Sequence, residues 1–95
     1  MREVYLKIRG RVQGVGFRRW AEKEAKSIGA ISGWVRNCDD GSVEILMRGD
    51  AQKVEEMVLK CHKGPLWARV DEVSFKPAVT NHFLPLITDG VFERI

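Results

Sequence analysis

Between Gly10 and Gly16 the apolar repeat of this chain changes its period, and that change constrains the kind of fold it can adopt. Before the break, Val4, Leu6 and Ile8 alternate with Glu3, Tyr5, Lys7 and Arg9, the period of two that belongs to a strand with one buried face. After it, Phe17, Trp20, Ala21, Ala25 and Ile28 recur at three- and four-residue spacings on one helical face, and Gly29 supplies the stop. A half-buried strand that passes straight into an amphipathic helix buries both apolar faces most simply by laying the helix on the sheet.

The rest of the chain repeats this grammar. Ile31, Gly33, Val35 and Asn37 share one face of a second predicted strand, with Ser32, Trp34 and Arg36 on the other. Asp39-Asp40-Gly41 reads as a hairpin turn into a third strand, whose inner face is Val43, Ile45 and Met47 and whose end is Gly49. Asp50 is a suitable N-cap for a second helix carrying Val54, Met57, Val58 and Cys61 on its apolar stripe. Lys60, His62 and Lys63 suit the negative end of that helix, and Gly64-Pro65 closes it. Residues 68–77 form a fourth strand whose apolar phase slips between Val70 and Val73, which predicts a bulge near Asp71-Glu72. A short strand from Val91 to Ile95 is expected last, entered through Thr88-Asp89-Gly90, while residues 78–90 carry no clear period. The order predicts a ferredoxin-like α+β sandwich (βαββαβ), two helices on one face of an antiparallel sheet, with an extra C-terminal strand. With 95 residues, one core is available, and a single domain over residues 1–95 is expected.

The formal charge of +3 is unevenly spread: residues 1–26 hold eight Lys/Arg against three Glu, a local +5, while the remainder sums to −2. An anionic partner near residues 9–19 is the electrostatic expectation, although for charge alone a solvated basic face is the favoured reading. Charged and apolar residues alternate from Met1 to Lys7, which leaves no apolar stretch for a secretion signal. No later run approaches the ~20 apolar residues of a membrane helix, so the cytosol is the expected compartment and no membrane partner is expected. Cys38 and Cys61 form no C-x-x-C pair and are expected as free thiols.

The segment Gly10-Arg11-Val12-Gln13-Gly14-Val15-Gly16-Phe17-Arg18 joins the first strand to the first helix. Its glycines allow backbone N–H groups to converge, and the helix that follows adds unsatisfied N–H groups and the positive end of its dipole. Arg18 stands where its guanidinium could clamp a phosphate bidentately. A Walker loop would need Gly-Lys-Ser/Thr, and the dinucleotide fingerprint would need a glycine where Arg19 stands, so a small phosphoryl group is the better guest. From glycine spacing alone, a tight turn with incidental arginines explains the segment as well as an anion cradle does.

Two stretches carry more than spacing. Ile8 to Arg18, I-R-G-R-V-Q-G-V-G-F-R, resembles without a gap the first signature of the acylphosphatases, and Gly33-Trp34-Val35-Arg36-Asn37-Cys38-Asp39-Asp40-Gly41-Ser42-Val43 resembles the second, followed by Gly49. The resemblance continues through Gly64-Pro65-Leu66-Trp67-Ala68-Arg69-Val70 and covers about residues 3–76; Asn81 to Leu86 has no clear counterpart, and Phe92 to Ile95 only loosely matches the closing strand. It implies an enzyme that hydrolyses the carboxyl-phosphate anhydride of acyl phosphates to carboxylate and inorganic phosphate without metal or other cofactor. By the same resemblance, Arg18 matches the phosphate-binding arginine, Asn37 the water-positioning asparagine, and the loop N–H groups of Gln13, Gly14, Val15, Gly16 and Phe17 the phosphate cradle. The implied partners are a small-molecule acyl phosphate and inorganic phosphate, and a monomer is expected.

Other constellations are weaker. Neither cysteine begins a Cys-x5-Arg phosphatase loop; Cys38 reads as a bystander in a turn and Cys61 as core. His62 and His82 lack ligand partners at metal-binding spacing, and Asp39 and Asp40 are turn residues before they are an acid/base pair. Tyr5, Lys7, Arg9, Trp34, Arg36 and Arg48 share the sheet face away from the helices, a basic and aromatic set compatible with RNA but without the aromatic-rich strand signature of RNA-recognition modules. An acylphosphatase-like module of a larger carbamoyl-phosphate-using maturation protein would retain the same loop and is the nearest alternative.

Overall fold

The computed structural model describes residues 1–77 and 84–95. The elements are β1 (Arg2–Arg11), α1 (Phe17–Ile28), β2 (Ile31–Asn37), β3 (Val43–Gly49), α2 (Ala51–Lys63), β4 (Arg69–Pro77) and β5 (Phe92–Arg94). They form one sheet in the order β4-β1-β3-β2-β5. The helices cover one face of it, as the alternation predicts. Val4, Leu6 and Ile8 of β1, Val35 of β2 and Ile45 and Met47 of β3 pack in one cluster with Phe17, Ala21 and Ala25 of α1 and Val54, Met57 and Cys61 of α2. The expected bulge is present: Arg9 pairs with Glu72 and Gly10 with Val70, which leaves Asp71 as the extra residue of β4.

The sheet departs from the sequence expectation at one edge. It is mixed, because β5 pairs in parallel with β2, Gly33 opposite Phe92 and Val35 opposite Arg94. β4 and β5 lie at opposite edges of the sheet, and β5 runs the same way as β2. Apolar alternation carries no information about direction, which is why an antiparallel sheet was the default reading. The final strand is also shorter than Val91–Ile95, although Gly33 N–H to Val91 O (2.8 Å) and Ile95 N–H to Val35 O (3.0 Å) continue the pairing at both ends.

The face away from the helices is not an open aromatic platform. Trp34 is 1% exposed, its indole N–H donates to Pro85 O at 2.9 Å, and the Arg36 guanidinium lies 5.0 Å from its ring centroid. Arg36 Nε also donates to Glu44 Oε1 at 2.7 Å, and the Tyr5 hydroxyl donates to the other oxygen. Burial alone would raise the Glu44 carboxyl, but the bonds from Tyr5 and Arg36 outweigh it and hold it below its ordinary value. Of the residues of the RNA reading, Tyr5 and Arg36 are thus engaged with the buried Glu44 and Trp34 with Pro85, while Lys7, Arg9 and Arg48 pair with Asp40, Glu72 and Glu3.

Candidate active site

Strand register brings the two predicted site segments to the same end of the sheet. Ile8 of β1 and Asn37 of β2 both pair with Val43 of β3, so the chain leaving β1 and the chain leaving β2 emerge at the same end of the sheet, on either side of β3. Val12 at 1% and Phe17 at 2% exposure anchor the β1–α1 loop in the core at either end. Between them, Gly14 (φ 74°) and Gly16 (φ 79°) take the left-handed conformation. Gly16 is the N-cap residue of α1, and no side chain caps the first turn. Glycine is needed at these two positions for backbone hand and not for room, since an added Cβ would meet nothing within 4 Å.

A pocket of about 260 Å³ opens over this turn, lined by Val12, Gly14, Gly16, Phe17, Arg18, Arg19, Asn37 and Arg94. Of the residues singled out in the sequence, Gly14, Gly16, Phe17, Arg18 and Asn37 meet here. Two do not line it. Val15 packs against the core, and Gln13 directs its carboxamide at the β2–β3 turn, donating to Cys38 O at 2.7 Å and Ser42 O at 2.9 Å.

The electrostatics of the pocket favour an anion. Arg18 and Arg19 are exposed on the first turn of α1, where the helix dipole is also positive. Among the described residues neither enters an ion pair, whereas Arg94 is tied by Nε to Glu22 Oε1 at 2.9 Å. Arg19 and Arg94 were not anticipated as site residues. Arg94 reaches the pocket because β5 lies beside β2, a pairing with no local signal in the sequence.

The remaining polar groups are committed elsewhere. Asp40 Oδ1 accepts from the Ser42 amide at 3.0 Å and from its hydroxyl, and Oδ2 lies 3.2 Å from Lys7 Nζ. These bonds from Ser42 first, and Lys7 after them, hold its carboxyl well below the usual carboxylate range, which suits a turn-former and not a proton donor. Burial pushes the Cys38 thiol up. The Cys61 thiol, deep in the core, is pushed up to about 12 for the same reason. Both cysteines are free, and neither is activated as a thiolate. No group of three or more His, Cys, Asp or Glu converges among the described residues; His82 lies outside them.

Fold and site together define an α+β protein whose pocket gathers a glycine-rich loop, a helix end without a side-chain cap and two arginines that enter no ion pair among the described residues. Comparison with known proteins gives the class its family. The sequence model of the acylphosphatase family matches residues 4–85, past the stretch of about residues 3–76 that carries the resemblance. An acylphosphatase of Nitrobacter winogradskyi is 53% identical over 74 residues, which are 78% of this chain and 74% of that one. The crystal structure of acylphosphatase from Bacillus subtilis superposes with a TM-score of 0.84 at 31% identity, covering 100% of this chain and 99% of that one. The fold also recurs inside a longer protein: Thermococcus kodakarensis HypF matches with a TM-score of 0.79 at 27% identity, over 100% of this chain but 12% of that one. The chain belongs to the acylphosphatase family. It is a hydrolase of acyl phosphates, as its relatives of similar length are named.

Proposed function

We propose that the pocket holds the phosphoryl group on the loop N–H groups from Gln13 to Phe17 and on the Arg18 guanidinium, and that Asn37 holds the attacking water. The observation that carries this reading is the convergence of Arg18, the uncapped first turn of α1 and Asn37 on one pocket. Each part answers a need of the reaction. The phosphoryl oxygens carry the charge that must be stabilised, and inward N–H groups with a planar guanidinium fork match their geometry. Water attacks phosphorus from the side opposite the leaving oxygen; the P–O bond to the acyl group breaks, its electron pair leaves on a carboxylate, and the two protons of the water stay with the phosphate, released as dihydrogen phosphate. The conjugate acid of that leaving group has a pKa of about 4, so departure needs no protonation. Phosphoryl transfer of this kind depends on positioning and charge stabilisation, which an arginine, oriented amides and one held water supply.

No resident metal or other cofactor takes part in this scheme. One domain over residues 1–95 carries the whole site, it acts as a monomer in the cytosol, and its partners are a small-molecule acyl phosphate and inorganic phosphate. The test is phosphate release from benzoyl phosphate compared with an alkyl phosphate monoester, each with and without a chelator. Hydrolysis of the acyl phosphate at least about 100-fold faster, unchanged by the chelator, is expected, because the alkoxide leaving group would need the general acid that the pocket does not offer. Equal turnover of the two substrates would refute the mechanism, and loss with the chelator rescued by a divalent ion would refute its metal independence.

A further inference from the structure

Gln13 sits among the cradle glycines, yet its side chain serves a different loop. Nε2 carries two N–H groups, and both are used: one reaches Cys38 O at 2.7 Å, the other Ser42 O at 2.9 Å. These carbonyls bracket the turn that follows Asn37. Each already accepts a bond within the turn, Ser42 O from Cys38 N–H at 2.8 Å and Cys38 O from Gly41 N–H at 3.1 Å. Gln13 therefore fills the remaining acceptor capacity of both oxygens. Among the described residues it is the one side-chain hydrogen-bond link between the loop of residues 12–16 and the β2–β3 turn.

From this geometry we infer that Gln13 is a positioning residue for hydrolysis, acting through Asn37: its carboxamide fixes the turn beside Asn37 relative to the phosphate loop, and so sets the water against the phosphorus. The inference rests on the roles proposed above for Asn37 and the loop. Asn37 is exposed at the last position of β2, held on one side by its pairing with Val43. Strand pairing fixes Asn37 to the sheet, whereas the phosphoryl group is fixed to the loop. The Gln13 bonds join those two frames. Attack requires the water oxygen and the phosphorus to keep their alignment, and a displacement on the order of 1 Å lowers rates about 100-fold. A half-buried donor pair bridging two loops can move that alignment without touching substrate.

The test is a double-mutant cycle on kcat, with inhibition by inorganic phosphate measured alongside. Gln13→Met keeps the length and bulk of the side chain and removes both donors; Gln13→Ala serves as a second variant, and thermal melts establish that each is folded. Gln13→Met is expected to lower kcat about tenfold while the phosphate inhibition constant changes less than about twofold. In the Asn37→Ala background the same substitution should change kcat by less than about twofold, since the group through which it acts is gone. A full tenfold loss in that background, or a matching loss of phosphate affinity, would overturn the inference and make Gln13 a part of the cradle alone. If Asn37→Ala is slow and Gln13→Met is not, the positioning role fails and the proposed mechanism stands. If Asn37→Ala itself keeps full turnover, both fail.

Discussion

The two helices begin in opposite ways. At the start of α2, Asp50 supplies its own anion: Oδ1 accepts from the backbone N–H of Gln52 at 3.0 Å and of Lys53 at 3.2 Å. At the start of α1 the N-cap is Gly16, which has no side chain to offer, and the first turn carries Arg18 and Arg19 where a carboxylate would be favourable. α2 is finished as a structural element, and α1 is left incomplete. Its place in the fold is secured by packing instead, through Phe17, Ala21 and Ala25 on the sheet. The comparison separates two uses of one physical property. The same unsatisfied N–H groups are closed internally at α2 and left open at α1, beside the pocket in which the proposed mechanism seats a phosphate.

The largest expected effect lies at the open end. Arg18→Ala should lower kcat/KM for an acyl phosphate by at least about 100-fold, roughly 2.7 kcal/mol of transition-state stabilisation. Arg18→Lys should recover little of it, because an ammonium cannot reproduce the planar fork. Since Arg18 is exposed and enters no ion pair among the described residues, its removal from beside the positive helix end should leave thermal stability unchanged or slightly raised. An active lysine variant in steady-state assays would break the assignment. Asp50→Ala at the closed end should do the reverse. Loss of the cap should destabilise the fold by about 1 kcal/mol, a fall of about 4–8 °C in Tm for a domain of this size, with kcat/KM within about twofold of the parent. A loss of activity there comparable to that of Arg18→Ala would erase the distinction between the two helix ends.

Both helix starts were legible in the sequence because their causes are local. Asp50 precedes an apolar stripe, and the glycines before Phe17 coincide with the change of hydrophobic period. The bulge at Asp71 was legible for the same reason, as a slip in alternation between Val70 and Val73. What escaped depends on residues that are distant in the chain. Strand parity puts Trp34 on the face away from the helices, but that Pro85 accepts its indole N–H is a tertiary fact without a periodic trace. The parallel pairing of β5, and with it the presence of Arg94 at the pocket, joins residues more than fifty positions apart and leaves no periodic trace. Gln13 has its partners 25 and 29 residues away, and a glutamine in a glycine-rich loop gives no sign of them. The pairing of Arg18 with Asn37 was reached through family resemblance, and the structure supplies its physical reason in the shared partner β3 between β1 and β2.

If a phosphate completes the open start of α1, as proposed, thermal unfolding in inorganic phosphate reads its binding directly. At about 100 times its dissociation constant, phosphate bound only to the native state should add roughly 2.7 kcal/mol to the stability of the parent protein, a clear rise in Tm. The control is Arg18→Ala at matched ionic strength, with chloride replacing phosphate in parallel scans so that general salt effects cancel. The Arg18→Ala shift should largely disappear at the same phosphate concentration. If Arg18→Ala gains as much from phosphate as the parent does, the anion binds elsewhere, and the open end of α1 is not its site.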